Sequence, residues 1–235
     1  MKVWEASIDM VDYLLDVGFM NGGVLEGEDA EEILGEDIAE SANTCFQVSR
    51  GEGVGGGGER RKENLSKRPE GQMRVLELGC GHGFPGIIAM RHGCHVCFSD
   101  YNREVLVHAT MPNVRINVPL SLWHLGEFFC GDWNALSPLL EVDSHGGKFD
   151  LILTAETLYN VEVTQKVLDM ILRHLAPEGR AIVASKRFYF GTGGSTAHFR
   201  AQVAAEGRLC CRDVKVFDTG RGNIREVMEV TWHKQ

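Results

Sequence analysis

No run of apolar residues in this chain approaches the ~18 that a membrane span needs. The start, Met1-Lys2-Val3-Trp4-Glu5, lacks the long apolar segment of a secretory signal. The expectation is a protein with no membrane partner. Cysteine is sparse and odd in number, seven in 235 residues, which speaks against a disulfide scaffold and for a reducing compartment. Metal-ligand spacing is lacking as well. Cys94-His95-Val96-Cys97 has no second ligand pair at similar spacing, and in a strand positions 94 and 97 point to opposite faces. Adjacent Cys210 and Cys211 fail for the same reason, so no metal is expected. Basic charge is short too: 24 Lys and Arg against 33 Asp and Glu, a net −9. Without a basic stripe, no nucleic-acid groove is expected.

The negative balance is local. Glu26, Glu28, Asp29, Glu31, Glu32, Glu36, Asp37 and Glu40 carry −8 of it, and no Lys or Arg interrupts residues 26–40, so the remainder is close to neutral. Six glycines between Gly51 and Gly58 follow, then Arg60-Arg61-Lys62. Such a composition cannot bury enough surface to offset its ordering entropy. Three segments are therefore expected. Residues 1–21 hold a helix from Ser7, as cap, to Val17, with Ile8, Val11, Leu14 and Leu15 on one face and Gly18 past its end. Residues 22–72 form an insertion without order. Residues 73–235 form the main domain.

In that domain strands and helices alternate. Met73–Leu78, Cys94–Ser99, Glu127–Cys130, Phe149–Thr154 and Arg180–Ser185 read as strands. Pro85–His92, Arg103–Thr110, Asn134–Glu141, Val161–Leu175 and Ser195–Ala205 read as helices. This spacing predicts an α/β fold, a parallel sheet with helices on both faces. Leu209–Asp218 and Ile224–Trp232, separated by Thr219-Gly220-Arg221-Gly222-Asn223, read as a terminal antiparallel hairpin. Five parallel strands and a hairpin resemble the Rossmann-like seven-stranded methyltransferase sheet.

Glu77-Leu78-Gly79-Cys80-Gly81-His82-Gly83 sits between a strand and a helix that opens with Pro85. Glycines there allow a sharp turn and close approach of a ligand to bare peptide. Amides at the helix start suit an anionic group. Gly81 to Gly86 also satisfies G-x-G-x-x-G, so a nicotinamide dinucleotide has to be weighed. Asp100, 21 residues after Gly79, can bind ribose hydroxyls in either cofactor class. The other strand ends read Gly131-Asp132-Trp133 and Thr154-Ala155-Glu156-Thr157-Leu158-Tyr159-Asn160. Acids and an aromatic at adjacent strand ends suit a compact adenosine with an amino-acid tail.

Taken in order, Val3-Trp4-Glu5-Ala6-Ser7, Leu76 to Gly81, Asp100-Tyr101-Asn102, Pro112-Asn113-Val114, Gly131-Asp132-Trp133, Thr154 to Asn160 and Ala184 to Gly191 closely resemble the protein-histidine methyltransferases that modify ribosomal protein. The family carries a longer segment ahead of the Trp-Glu motif and a shorter one between first helix and glycine turn. The resemblance implies S-adenosyl-L-methionine as cofactor. It places cofactor contacts on Val3, Trp4, Glu5, Ala6, Ser7, Glu77, Gly79, Gly81, Asp100, Tyr101, Asn102, Gly131, Asp132, Trp133, Thr154 and Ala155. It implies a histidine of a large-subunit ribosomal protein as substrate, methylated on the ring nitrogen remote from the stem. A monomer in cytoplasm and nucleus is the accompanying expectation. Glu156 is the candidate acceptor for the other ring N–H, fixing the tautomer, and Tyr159 the candidate shaper of the acceptor pocket. A protein-lysine methyltransferase on the same fold and a non-catalytic cofactor-binding module are the alternatives. A nicotinamide oxidoreductase comes third.

Overall fold

The computed structural model describes residues 5–17, 48–50, 71–141, 147–218, 220 and 224–233. The strands, in chain order, are β1 (Val48–Arg50), β2 (Arg74–Leu78), β3 (His95–Asp100), β4 (Gly126–Cys130), β5 (Phe149–Ala155), β6 (Leu175–Lys186), β7 (Leu209–Phe217) and β8 (Arg225–Trp232). They form one sheet in the order β1-β4-β3-β2-β5-β6-β8-β7. β1 to β6 run parallel, and β8 is antiparallel to both β6 and β7. The expected five parallel strands and terminal hairpin are all present. The sheet has one strand more than the seven expected, because Val48–Arg50, within the segment read as unordered, pairs in parallel with Phe128–Cys130. That pairing gives partners to the backbone of an otherwise open edge. The rest of residues 22–72, Gly71 and Gln72 aside, lies outside the described residues.

Alternation along the strands divides the core in two. Val75, Val96, Phe98, Phe128, Leu151 and Leu153 face one layer. Leu76, Leu78, Cys97, Phe129 and Ile152 face the other. The first layer holds α1 (Glu5–Asp16) and α2 (Phe84–Arg91), which bury Met10, Leu14, Ile87 and Met90 there. The second holds α5 (Trp133–Glu141), α6 (Val161–His174) and α7 (Thr196–Glu206), which bury Leu136, Val167, Ile171 and Phe199. Side chains of successive strand residues point to opposite faces, so one apolar run serves both layers.

Several boundaries differ from the sequence expectation. α1 starts at Glu5, which puts Ser7 inside the helix rather than at its cap. The helix expected over Arg103–Thr110 runs on as α3 (Arg103–Val105), a π-helical turn (Leu106–Thr110) and α4 (Met111–Asn117). Pro112 has no N–H for the ladder and would crowd a regular turn behind it. The wider turn just ahead lets the helix continue. A 3-10 segment, Leu120–Leu125, was not expected, and β6 begins at Leu175 rather than Arg180. Among the described residues no helix is long and apolar enough to cross a membrane.

α1 is tied to the hairpin by charge. Asp9, 6% exposed, is bonded at both oxygens by Arg225, from Nε and from Nη2 at 3.2 Å, and Glu5 lies 3.5 Å from Arg225 Nη1. Arg225 stands opposite Lys186 on the β6–β8 ladder, at the carboxyl end of β6. Removing one member of a buried pair strands the other charge, at a cost of about 3–5 kcal/mol. Arg225→Ala should lose about that much stability in urea unfolding. Asp9→Leu combined with Arg225→Leu should recover most of it. Equal losses in the single and double variants would show that the ion pair is not what anchors α1.

Candidate functional site

β2 has β3 on one side and β5 on the other, so the chain order of the sheet reverses there. Ligands of open α/β sheets bind beyond the carboxyl ends of the strands at such a point. The glycine turn forms the floor of this crevice. Gly79 and Gly81 have φ of 64° and 55°, left-handed values that side chains disfavour. A Cβ on Gly79 would stand 2.9 Å from Thr157 Cγ2 and 3.7 Å from Trp133 Cζ2. A Cβ on Gly81 would meet nothing within 4 Å among the described residues. Gly79 is thus wedged between the β5 loop and an indole, while Gly81 borders open space.

Neighbouring elements hold the turn. Its Gly81 N–H donates to Asp100 Oδ2 at 3.1 Å, and the Asn102 N–H donates to Oδ1 at 3.0 Å. The Thr110 hydroxyl donates to the Gly81 carbonyl at 2.7 Å and Asn113 Nδ2 to the His82 carbonyl at 2.9 Å. Thr110 and Asn113 were not among the expected site residues, because only the π-helical turn brings them over the glycines. Asp100 ends β3, 9% exposed, with its carboxyl pushed up by burial against the pull of the Asn102, Gly81 and Tyr101 amides. The three amides leave one of the carboxylate's roughly four lone-pair positions for a ligand. Tyr101 and Asn102 are exposed beside it. The Gly131 N–H donates to the Asp100 carbonyl at 3.1 Å, which brings the β4 end alongside. Trp133 is half-buried against the turn. Asp132 caps α5: Oδ1 accepts the Asn134 N–H at 2.9 Å and Oδ2 the Lys166 ammonium at 2.8 Å, which holds its carboxyl below the usual range.

Four of the expected contact residues are engaged within the protein itself. Glu77 lies on the α2 side of β2, 3% exposed, and its Oε2 accepts the Gly86 N–H at 3.0 Å. It braces the helix start behind the turn instead of facing the crevice. Thr154, 1% exposed, donates to the Leu78 carbonyl at 3.0 Å and shares a 2.7 Å bond with the Thr157 hydroxyl, tying β5 to β2. Ala6 is wholly within the core, and Glu5 is engaged by Arg225. Ser7 and Ala155 are half-buried, Ala155 pairing with Ala184 at the end of β5. Val3 and Trp4 lie outside the described residues.

Across the crevice stands Glu156. It is the one described non-glycine residue with positive φ, 58°, a strained conformation for such a side chain. Its N–H donates to the Ala184 carbonyl at 2.9 Å. Oε2 accepts the Tyr189 hydroxyl and lies 3.7 Å from Lys186 Nζ. Oε1 is buried with no hydrogen-bond partner among the described residues. Tyr189 also shares a 3.0 Å bond with Ser185 Oγ, and burial with the Glu156 charge pushes its phenol far up, so it stays a donor. Tyr159 is exposed at the rim, its carbonyl accepting the Thr192 hydroxyl. The loop from Arg187 to Ser195 clamps this segment: Gly193 bridges Asn160, and a Cβ on Gly194 would fall 2.0 Å from the Leu158 carbonyl. α6 is capped by Asn160, whose Oδ1 accepts the Val163 N–H at 2.8 Å, leaving Glu156 free of that duty.

A methyltransferase-domain family model matches residues 58–209. The chain belongs to this family. It is 41% identical over 158 residues to a histidine protein methyltransferase 1 homolog of Dictyostelium discoideum, covering 67% of this chain and 49% of the relative. It is 35% identical over 182 residues to the Rattus norvegicus homolog, covering 68% and 50%. The chain spans about half the length of the curated relatives it matches. Among solved structures it resembles the YcgJ protein of Bacillus subtilis, at TM-score 0.52 and 11% identity, over 70% of this chain and 93% of that one. That likeness concerns the fold.

Glu77 gives a pH signature. Burial pushes its carboxyl up to about 8, the Gly86 amide pulls it down, and the Asp100 charge adds to the rise. In the unfolded chain it titrates at the ordinary value of about 4.3. Between these values the folded protein binds the extra proton, so stability falls as pH rises. Glu77→Gln removes that slope and keeps an acceptor for Gly86. Its melting temperature relative to the parent should climb from about pH 5 to about pH 8. A constant difference across that range would place the titration elsewhere.

Proposed function

We propose that this chain transfers a methyl group from S-adenosyl-L-methionine to a ring nitrogen of a protein histidine, with ribosomal protein as the substrate class the motif resemblance implies. Asp100 and the Gly79–Gly81 turn, with Trp133 beside it, would hold the cofactor. A spare carboxylate lone pair, an unblocked glycine and an indole at the turn fit an adenosine with an amino-acid tail. When bound, that group supplies an electrophilic methyl carbon on a sulfonium.

The observation that carries the histidine reading is the unpartnered Glu156 Oε1. A buried acceptor without a donor costs free energy, and an imidazole N–H would supply the donor. Accepting that proton leaves the other ring nitrogen with its lone pair free, the tautomer that attack requires. No strong base is then needed, because an imidazole of pKa about 6.5 is mostly uncharged near neutrality. Lys186, 3.7 Å from the same carboxylate, disfavours a cationic acceptor, which is compatible with a neutral imidazole. Orientation contributes to the rate, since a sulfonium methyl moves by in-line displacement.

The test is labelled-methyl transfer to ribosomal proteins, followed by mass spectrometry of the modified peptide. A single methylhistidine isomer is expected. Asp100→Ala should weaken cofactor binding by about 10–100-fold in calorimetry, the worth of hydrogen bonds to a charged group. Glu156→Gln should lower turnover by about 100-fold with cofactor affinity unchanged. Tyr189→Phe, which frees the carboxylate to rotate, should yield a mixture of ring isomers. Methyl on lysine, or full turnover in Glu156→Gln, would overturn the proposal.

A further inference from the structure

We propose that His95, Cys97 and Glu127 form a zinc site on the face of the sheet that carries α5, separate from the crevice. One ligand atom from each lies within 4.8 Å of the other two. Register explains the cluster. His95 and Cys97 are two apart on β3 and so share a face, and Cys97 pairs directly with Glu127 on β4. Cys94, the obvious partner of Cys97 in the sequence, falls on the opposite face and belongs to the other core layer. The ligands that a linear spacing lacks are thus supplied by a neighbouring strand.

The chemistry of the set fits. One imidazole nitrogen, one sulfur and one carboxylate oxygen are all zinc ligands, and a fourth tetrahedral position falls to water. Cys97 is fully buried, in a layer with Leu76, Phe129, Leu136 and Leu140, while His95 and Glu127 are partly exposed. The site therefore has an apolar back and an open front through which an ion can enter. Cys97 Sγ already points at Glu127 Oε2, donating at 3.4 Å. On binding, the thiol proton leaves to solvent, a sulfur–zinc bond forms, and the Glu127 oxygen that accepted the S–H turns to the ion. No change of oxidation state is involved. Asp100 lies three residues beyond Cys97, about 10 Å along the strand, too far for the ion to touch the reacting atoms. Its role is to cross-link β3 to β4, whose other ends carry Asp100 and Gly131.

The experiment is zinc titration of the metal-stripped full chain by calorimetry against a competing chelator, with cobalt substitution read by its thiolate charge-transfer band. One equivalent of zinc, a cobalt–thiolate band and a zinc-dependent rise in melting temperature are expected. Cys97→Ser should abolish the band and weaken binding by at least about 100-fold. Cys210→Ser, which alters an exposed thiol, should change nothing. His95→Ala keeps the buried thiol in place and should also weaken binding, so a folding defect in Cys97→Ser would not mask the result. Absence of stoichiometric binding by the folded chain, or equal binding by the parent, Cys97→Ser and His95→Ala, would overturn the site.

Discussion

The hydrogen bond from the Gly81 amide to Asp100 is the constraint on which the crevice depends. It joins the turn after β2 to the end of β3 at 3.1 Å. Without it a left-handed glycine turn would have few reasons to keep one conformation. Around that bond the remaining contacts are arranged as supports: Thr110 and Asn113 from one side, Glu77 behind through Gly86, and Gly131 along the β4 end. Asp100 is thereby both strut and candidate ligand. Its carboxylate is oriented by backbone amides before any ligand arrives, which lowers the ordering cost of binding.

Glu156 faces this floor under a different kind of constraint. A positive φ at a residue with a long side chain costs on the order of 1–3 kcal/mol, and surrounding contacts must over-determine it. Here they do: the Ala184 carbonyl fixes its N–H, Tyr189 and Lys186 fix Oε2, and the close approach of Gly194 to Leu158 closes the loop over it. A carboxylate serving only as a structural anchor would have both oxygens paired. One oxygen is held and the other is buried with no donor among the described residues, and the proposed imidazole N–H would supply that donor.

Much of this was legible in the sequence, and the failures have physical causes. Asp100 and Gly79 could be placed at the crevice because strand-end position and backbone conformation are written in local spacing. Strand alternation and the turn after Phe217 revealed the sheet and its terminal hairpin for the same reason. The face of β2 that Glu77 occupies was not legible, because adjacency to the glycine motif says nothing about it. Leu76 and Leu78 on the other layer settle that only once both layers are known. The bond of the Thr154 hydroxyl to the neighbouring strand was equally out of sight. Tyr189, 33 residues from Glu156, and Glu127, 30 residues from Cys97, were out of reach of any linear pattern. Val48–Arg50 gave no signal at all, since three residues carry no period.

The N-terminal helix joins these parts to the hairpin. Asp9 and Glu5 both converge on Arg225, which stands opposite Lys186 on the ladder, and Lys186 in turn lies beside Glu156. Arg225 also senses the Glu156 charge. The carboxylates of α1 therefore share a field with the candidate acceptor carboxylate through two cations between them. Loss of α1 would leave Arg225 without its Asp9 partner. Ala6, Met10 and Leu14 attach α1 to the fold by apolar burial, and Asp9 adds the charge pair that fixes the helix against the hairpin.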